Sequence, residues 1–142
     1  DVVTTSTNQN ALSIKEASSR VPFVNYHHDL PSLLPLLKKA DFAIGGGGMT
    51  VLERLCLGVF SFVVVLAGNQ LPLVKTMHEL NALHFVGSFE KLDWLSIEQK
   101  VTNILCHGLT SDQVLACENI VDGAGARRVA QLIFERLTPA SS

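Results

Sequence analysis

Residues 40–70, ADFAIGGGGMTVLERLCLGVFSFVVVLAGNQ, decide the fold. An apolar strand predicted over 41–44 leads into four glycines at 45–48. A helical pattern over 51–57 and a fully apolar strand over 61–67 follow. In α/β proteins, a strand, glycine turn, helix and strand in this order place backbone N–H groups against a phosphorylated ligand. The stretch therefore predicts an α/β protein with a ligand site at the glycines.

Strands and helices are predicted to alternate along the rest of the chain as well. Strands are expected at 2–5, 21–26, 41–44, 61–67 and 84–87, and helices at 12–17, 33–39, 51–57, 72–83, 95–106, 112–119 and 126–137. Such alternation predicts a doubly wound parallel sheet with helices on both faces. A length of 142 residues suits one domain, so we expect residues 1–142 to form a single domain, to which the resemblance described below assigns nucleotide-sugar binding.

The composition narrows the class of protein. Apolar residues make up 47% of the chain and charged residues 17%, which is typical of a folded domain. The net charge of −2 argues against a nucleic-acid partner, and the longest apolar run, 55–68, is too short for a membrane span. Cys56, Cys106 and Cys117 lack paired spacing, so we expect reduced, buried or partly buried thiols in a cytoplasmic protein.

The glycine run fits neither common phosphate fingerprint. No Gly-Lys-Ser/Thr follows it, and Thr50 stands where the third glycine of a Rossmann motif would be. A glycine turn between a strand and a helix is often purely structural. Four successive glycines, however, remove every side chain where a ligand would approach. Both interpretations stay open at this point.

Glu53 also has two interpretations. Thr50 and Glu53 have the spacing of a capping box, in which hydroxyl and carboxylate satisfy backbone donors at the helix start. Alternatively, the carboxylate accepts hydrogen bonds from a ribose diol. Asn69 and Gln70 follow the end of a buried strand, where they either read sugar hydroxyls or form an ordinary polar turn.

Two adjacent histidines follow another strand end. His27 and His28 lack acidic or cysteine partners at ligand spacing, so we expect loop residues or the wall of a base pocket rather than a metal site. No nucleophile–base set and no pair of carboxylates suggests catalysis within the chain. We therefore predict no metal, no cofactor and no catalytic residue in this sequence.

Several segments, taken in order, resemble one enzyme family. They are TTSTNQN (4–10), NYHHDLPSLL (25–34), ADFAIGGGGMTVLERLCLG (40–58), VVVLAGNQ (63–70) and DGAGARRV (122–129). The family is the UDP-2,4-diacetamido-2,4,6-trideoxy-β-L-altropyranose hydrolases of pseudaminic-acid synthesis, with the related spore-coat polysaccharide biosynthesis proteins. The chain resembles their carboxyl-terminal, UDP-binding half. GGGMTVLE and the later Asn-Gln are more distantly similar to the peptidoglycan N-acetylglucosaminyltransferase, a GT-B glycosyltransferase.

The resemblance implies a role for each candidate site residue. Gly47, Gly48, Met49 and Thr50 would approach the diphosphate, and Glu53 would hold the ribose diol. The backbone around Tyr26 and His27 would read uracil, and Asn69 and Gln70 would reach the sugar or its phosphate. The fold implied is a Rossmann-like, GT-B-type carboxyl-terminal domain.

Two features of the family are absent from the sequence. There is no Gly-x-Gly-His motif, which carries a histidine implicated in hydrolysis, and the family's first carboxyl-domain strand should precede TTSTNQN. We therefore expect an N-terminal catalytic domain or partner chain to complete the enzyme, and the chain alone to be inactive. Without that strand, the sheet would have a gap between the strands at 2–5 and 41–44. A second copy of the chain is another way to fill this gap.

Three functions remain open from the sequence. The first is hydrolysis of a UDP-amino-sugar with release of UDP, in the intact enzyme. The second is a glycosyltransferase that uses a UDP-sugar donor. The third is a non-catalytic interaction domain derived from the same fold.

Overall fold

The computed structural model describes residues 1–137, in which strands and helices alternate through most of the chain. The strands are β1 (Val2–Thr4), β2 (Tyr26–His28), β3 (Phe42–Gly46), β4 (Phe60–Val65) and β5 (Leu83–Ser88). The helices are α1 (Ala11–Ser19), α2 (Leu34–Leu37), α3 (Thr50–Cys56), α4 (Leu71–Glu79), α5 (Trp94–His107), α6 (Ser111–Ile120) and α7 (Gly125–Leu137). Short 3₁₀ turns occupy Gly68–Gln70 and Phe89–Lys91.

The chain divides into two compact units, and each has its own sheet. In the first unit, Asp1–Lys39, strands β1 and β2 pair directly and in parallel, and helix α1 connects them. The second begins at Ala40 and contains β3, β4 and β5, which are parallel, with β4 in the middle. This confirms the predicted α/β class with parallel strands. The described strands form these two sheets rather than one continuous sheet.

The core of the second unit is built around β4. The strand reads FSFVVV, and five of its six residues are buried. A largely apolar run that ends in three valines suits a central parallel strand that is covered on both faces. Helices α3, α4 and α6 and strand β5 contribute the remaining buried side chains of this core: Val51, Leu55, Val74, Ala82, Leu83 and Cys117. No helix among residues 1–137 is long and apolar enough to cross a membrane.

The prediction of a strand over 21–26 is wrong in its position. The strand is Tyr26–His28, and the residues before it form turns, with Val24 N–H donating to Val21 O at 3.0 Å. Pro22 explains part of the difference, because it has no N–H to give to a sheet ladder. As a consequence, Tyr26 and His28 lie on one face of the strand and His27 lies on the other.

The predicted helix over 72–83 ends earlier than expected. It stops at Glu79, and Asn81 adopts a φ of 59°, a left-handed conformation that ends helices and that asparagine tolerates. Strand β5 therefore starts at Leu83 and not at 84.

The three cysteines are free thiols, but only one is buried. Cys56 and Cys106 are exposed, so the expectation that all three are buried or partly buried is wrong for these two. Cys117 donates a hydrogen bond to Ala82 O at 3.2 Å. Burial, and secondarily Glu118, raises the pKa of the Cys117 thiol to about 11.

His84 is an uncharged histidine packed on the sheet. Its ring lies 5.7 Å from the Phe62 ring and 5.2 Å from the His78 ring, and its Nε2 is buried without a hydrogen-bond partner. Burial, followed by the charges of Lys100 and His78, lowers the pKa of His84 to about 4. The folded state therefore disfavours protonation of this ring.

This histidine makes stability depend on pH in a defined direction. Between pH 6.5 and about 4 the unfolded state binds the proton and the folded state does not, so stability falls as the pH is lowered through this window. After allowance for partial exposure, the loss should be roughly 1–2 kcal/mol. Urea unfolding across this pH range should show it in the wild type and not in His84→Gln.

His107→Gln is the matched control, because His107 is exposed. It should keep the wild-type pH profile. A constant stability difference between wild type and His84→Gln from pH 7 to 4 would contradict the account.

Candidate functional site

The glycine segment, residues 45–48, lies at the carboxyl end of β3 and leads directly into α3. Gly45 and Gly46 are the last two residues of the strand. Gly47 continues the hydrogen bonding between β3 and β4 beyond the end of the strand, because its N–H donates to Val64 O at 3.0 Å. The chain then leaves the sheet through Gly48 and Met49, and α3 begins at Thr50.

Most of the glycine segment is required by the packing of the protein itself. A Cβ added at Gly45 would lie 2.6 Å from Arg54 Nη1, one at Gly46 would lie 3.0 Å from Leu66, and one at Gly47 would lie 2.7 Å from Val74. Only Gly48 is free of such contacts, since its nearest neighbour, on Gln70, would be 3.9 Å away. Steric access for a ligand therefore explains Gly48 alone among the four.

Three consecutive backbone N–H groups after the strand are available as donors. Within residues 1–137, the N–H groups of Gly48, Met49 and Thr50 have no hydrogen-bond partner. The N–H of Gly47 differs, because Val64 O accepts it. Of the four residues expected to face a diphosphate, three can donate through the backbone without breaking a bond.

The predicted capping box at Thr50 and Glu53 is wrong. Met49, with helical φ and ψ of −57° and −26°, occupies the N-cap position, and no side chain caps the helix. Thr50 is already the first helical residue, so its hydroxyl is displaced from the position that a cap requires. A capping box does occur at α6, where Thr110 and Gln113 exchange both hydrogen bonds.

The Glu53 carboxylate is therefore not used in capping its helix. The side chain is exposed and makes no hydrogen bond to any described residue. Glu53 lies in the first turn of α3, next to Arg54, and its negative charge raises the pKa of the Arg54 guanidinium. A free carboxylate at this place can accept hydrogen bonds from a ligand.

Gln70 lies against the glycine segment. Its Oε1 accepts the N–H of Leu66 at 3.0 Å, which fixes the side chain at the end of β4. Its Nε2 is the group nearest to Gly48, and this nitrogen has no partner among the described residues. Asn69, its neighbour in the 3₁₀ turn, is exposed and its side chain is unpaired within the same range. The structure thus brings Gln70, Gly47 and Gly48 together.

Arg54 is the residue of this site that the sequence analysis missed. Its side chain is 5% exposed, its Nη2 donates to Gly46 O at 2.8 Å, and its Nε is buried without a partner. Burial lowers the pKa of the guanidinium, and the Glu53 carboxylate counteracts this to a smaller extent. The available signal was its spacing, because residue 54 lies on the same helix face as the apolar Val51 and Leu55.

The single hydrogen bond from Arg54 to Gly46 O does not offset the free-energy cost of burying the guanidinium charge. Removing a guanidinium from water costs several kcal/mol, and one charge-assisted hydrogen bond returns only about 1.5–3 kcal/mol. The carbonyl that it reaches faces away from β4, since Gly46 lies opposite Val64 while Val64 O bonds Gly47. Arg54 therefore occupies the open edge of β3 at the end of the strand.

Tyr26 and His27 belong to the first unit and have their own network. The Tyr26 hydroxyl lies 2.6 Å from Thr4 Oγ1, and His27 Nε2 lies 2.8 Å from Asp1 Oδ1. On the same side as Tyr26, His28 Nδ1 is 3.2 Å from Thr4 Oγ1, and its Nε2 is 3.3 Å from a carboxylate oxygen of Asp29. The His28–Asp29 contact was not anticipated, because the sequence analysis ended this strand at Tyr26.

A solvent-open cavity of about 400 Å³ lies along one face of α5. It is lined by Leu95, Glu98, Gln99, Thr102, Asn103, Cys106 and His107, none of which was predicted as a site residue. All seven come from one helix, so no second element supplies converging polar groups. Within residues 1–137 no group of three or more histidine, cysteine or acidic side chains is arranged to hold a metal ion.

No family model matches the chain, and comparisons with curated proteins and with solved structures give no significant match.

The two central glycines of the segment should respond differently to alanine. Gly47→Ala places a methyl group 2.7 Å from the buried Val74 and should destabilise the protein by about 1–3 kcal/mol. Gly48→Ala meets nothing closer than 3.9 Å and should change stability by less than about 1 kcal/mol. Thermal and urea unfolding of both variants measure the difference. Equal destabilisation by the two substitutions would show that the packing assigned to Gly47 is wrong.

Proposed function

We propose that this chain binds the UDP part of a UDP-sugar and forms the carboxyl-terminal half of a UDP-sugar enzyme. The observation that carries the proposal is the group of unused hydrogen-bonding atoms around the glycine segment. Three unused backbone N–H groups lie at residues 48–50, the Gln70 amide lies against Gly48, and the free Glu53 carboxylate lies in the first turn of α3. Donors for phosphate and an acceptor for a diol thus both come from the second unit.

Each group has a counterpart in UDP. The diphosphate would accept hydrogen bonds from the N–H groups of Gly48, Met49 and Thr50, and the Thr50 hydroxyl can add another. Gly47 would contribute by holding the turn rather than by donating, because its N–H is already bonded to Val64 O. The Glu53 carboxylate would accept hydrogen bonds from both ribose hydroxyls, and Asn69 and Gln70 would reach the sugar or its phosphate.

The resemblance assigns uracil recognition to the backbone around Tyr26 and His27, which belong to strand β2 of the first unit. The side chains of both residues already have partners within their unit, at Thr4 and Asp1. Base recognition is therefore assigned to main-chain groups.

The complete enzyme would be a GT-B-type, Rossmann-like protein of the cytoplasm with a second, catalytic half. Among the described strands, β1 and β3 each pair with one neighbour and have one free edge, which leaves room for a further strand beside either of them. That strand would come from an N-terminal domain, a partner chain or a second copy. The reaction would be hydrolysis of a UDP-amino-sugar, in which water replaces UDP at the anomeric carbon, in pseudaminic-acid or surface polysaccharide synthesis.

Two other functions are alternatives to the hydrolase for the same group of residues. A glycosyltransferase would transfer the sugar of the same donor to a hydroxyl acceptor. Product analysis of the completed enzyme separates it from a hydrolase, because free sugar appears only in hydrolysis. A non-catalytic interaction domain would have the fold without nucleotide affinity.

Calorimetric titration with UDP, UMP and CMP tests the proposal. We expect binding of both uridine nucleotides, with UDP tighter than UMP, and weaker binding of CMP. Absence of uridine-selective binding at millimolar nucleotide would rule out both enzyme functions for this chain and leave the interaction domain.

Glu53→Ala should weaken UDP binding by about 1–3 kcal/mol, because the charge-assisted hydrogen bonds to the ribose are lost. Its effect on thermal stability should be small, since the carboxylate caps no backbone group. Glu79→Ala, at the exposed end of α4, is the matched control and should bind UDP like the wild type. Unchanged UDP affinity in Glu53→Ala would remove Glu53 from the site.

A further inference from the structure

We propose that Arg54 is the anion-recognition residue of the glycine segment, binding ligand phosphate through Nη1 while Nη2 stays on Gly46 O. The identity of the ligand as a nucleoside diphosphate rests on the proposed function. The recognition of a phosphate-type anion rests on the environment of Arg54 alone, so the two can fail separately.

The first observation is that Arg54 is buried with most of its donors unused. A guanidinium has five N–H groups, and within residues 1–137 the bond from Nη2 to Gly46 O is its only hydrogen bond. The side chain is 5% exposed, and Nε is fully buried without a partner. Buried donors in native proteins nearly always have partners, and an ion that is not seen is one of the reasons for an orphaned one.

The second observation is that no carboxylate neutralises this cation. The ion pairs of the described residues involve His27, His28 and Arg128, and none involves Arg54. Its sequence neighbour Glu53 affects it only through charge, without a hydrogen bond. A buried guanidinium without a counter-ion favours the entry of an anion.

The third observation is that the guanidinium is held in place before any ligand binds. The bond to Gly46 O anchors one end of its planar fork. Gly45 permits the close approach, because a Cβ there would lie 2.6 Å from Nη1. A guanidinium that is oriented in this way, with the hydrogens of Nη1 unused, binds a phosphate group with less loss of side-chain freedom than a flexible ammonium does.

Arg54 and Glu53 then divide the recognition of a nucleotide between adjacent residues. The exposed carboxylate of Glu53 suits the ribose diol, and the buried cation suits the diphosphate. The free N–H groups of residues 48–50 begin two residues after Gly46, whose carbonyl anchors Arg54. The cation and the backbone donors therefore belong to one short segment.

The test uses inorganic pyrophosphate, UDP and uridine as probes on wild type, Arg54→Gln, Arg54→Lys and Arg127→Gln. Arg127 is exposed and makes no hydrogen bond to described residues, so its substitution removes the same charge elsewhere. Arg54→Gln should lose about tenfold or more in affinity for pyrophosphate and UDP, with uridine affinity unchanged. Arg54→Lys should recover part of the loss, and Arg127→Gln should bind all three probes like the wild type.

Each failure has a distinct pattern. If Arg54→Gln binds pyrophosphate and UDP as tightly as the wild type, the proposal for Arg54 is wrong, although UDP binding itself stands. If the wild type binds no pyrophosphate, the proposal is also wrong. If pyrophosphate binding depends on Arg54 but uridine compounds bind no better than pyrophosphate, the anion site stands and the uridine function does not.

A measurement on the wild type covers the case in which Arg54→Gln fails to fold. The Nε–H resonances of arginines in a nitrogen-15 labelled sample can be followed during titration with pyrophosphate. We expect the Arg54 signal to shift more than those of the other arginines. A stationary Arg54 signal at saturating pyrophosphate would overturn the proposal.

Discussion

The contact between the Arg54 guanidinium and the backbone of Gly45 and Gly46 is the constraint on which the candidate site depends. It places a buried cation at the open edge of β3, and it requires that residue 45 have no side chain. The same contact sits between the strand and α3, whose apolar side chains Val51 and Leu55 enter the core. The geometry of the turn that follows, with its free N–H groups, is thus tied to the packing of the unit.

The structure changes the meaning of the glycine run. The sequence left open whether the glycines make room for a ligand or for the protein's own packing, and in the structure Gly45, Gly46 and Gly47 make room for Arg54, Leu66 and Val74. Within this one segment, three glycines are explained by packing, and one glycine leaves space for a ligand. Gly48 alone is open, and it faces the Gln70 amide.

Periodicity and composition were enough to predict the α/β class, the parallel strands and most helices. The strongest example is β4, where a short, largely apolar run with three successive valines, bounded by Gly58 and Gly68, favours a buried strand. The position of β2 was not predictable in the same way, because the apolar residues before Tyr26 form turns around Pro22. The end of α4 depended on the left-handed conformation of Asn81, which hydrophobic spacing does not reveal.

The candidate site was harder to predict, because sequence spacing does not fix where a helix starts. Thr50 and Glu53 have capping-box spacing, yet the helix begins at Thr50 itself, and this frees the carboxylate of Glu53. Arg54 was not predicted, because a charged side chain usually indicates an exposed position even where its helical spacing matches that of Val51 and Leu55. Its burial follows from tertiary packing against β3, which only the structure supplies.

Amide chemical-shift mapping with UDP tests the central claim, that the glycine segment and its neighbours form the nucleotide site. The account predicts that the largest shifts fall on residues 48–50, on Glu53 and on Asn69 and Gln70, with smaller shifts at Tyr26 and His27. Shifts confined to the cavity along α5, or no shifts at millimolar UDP, would contradict it.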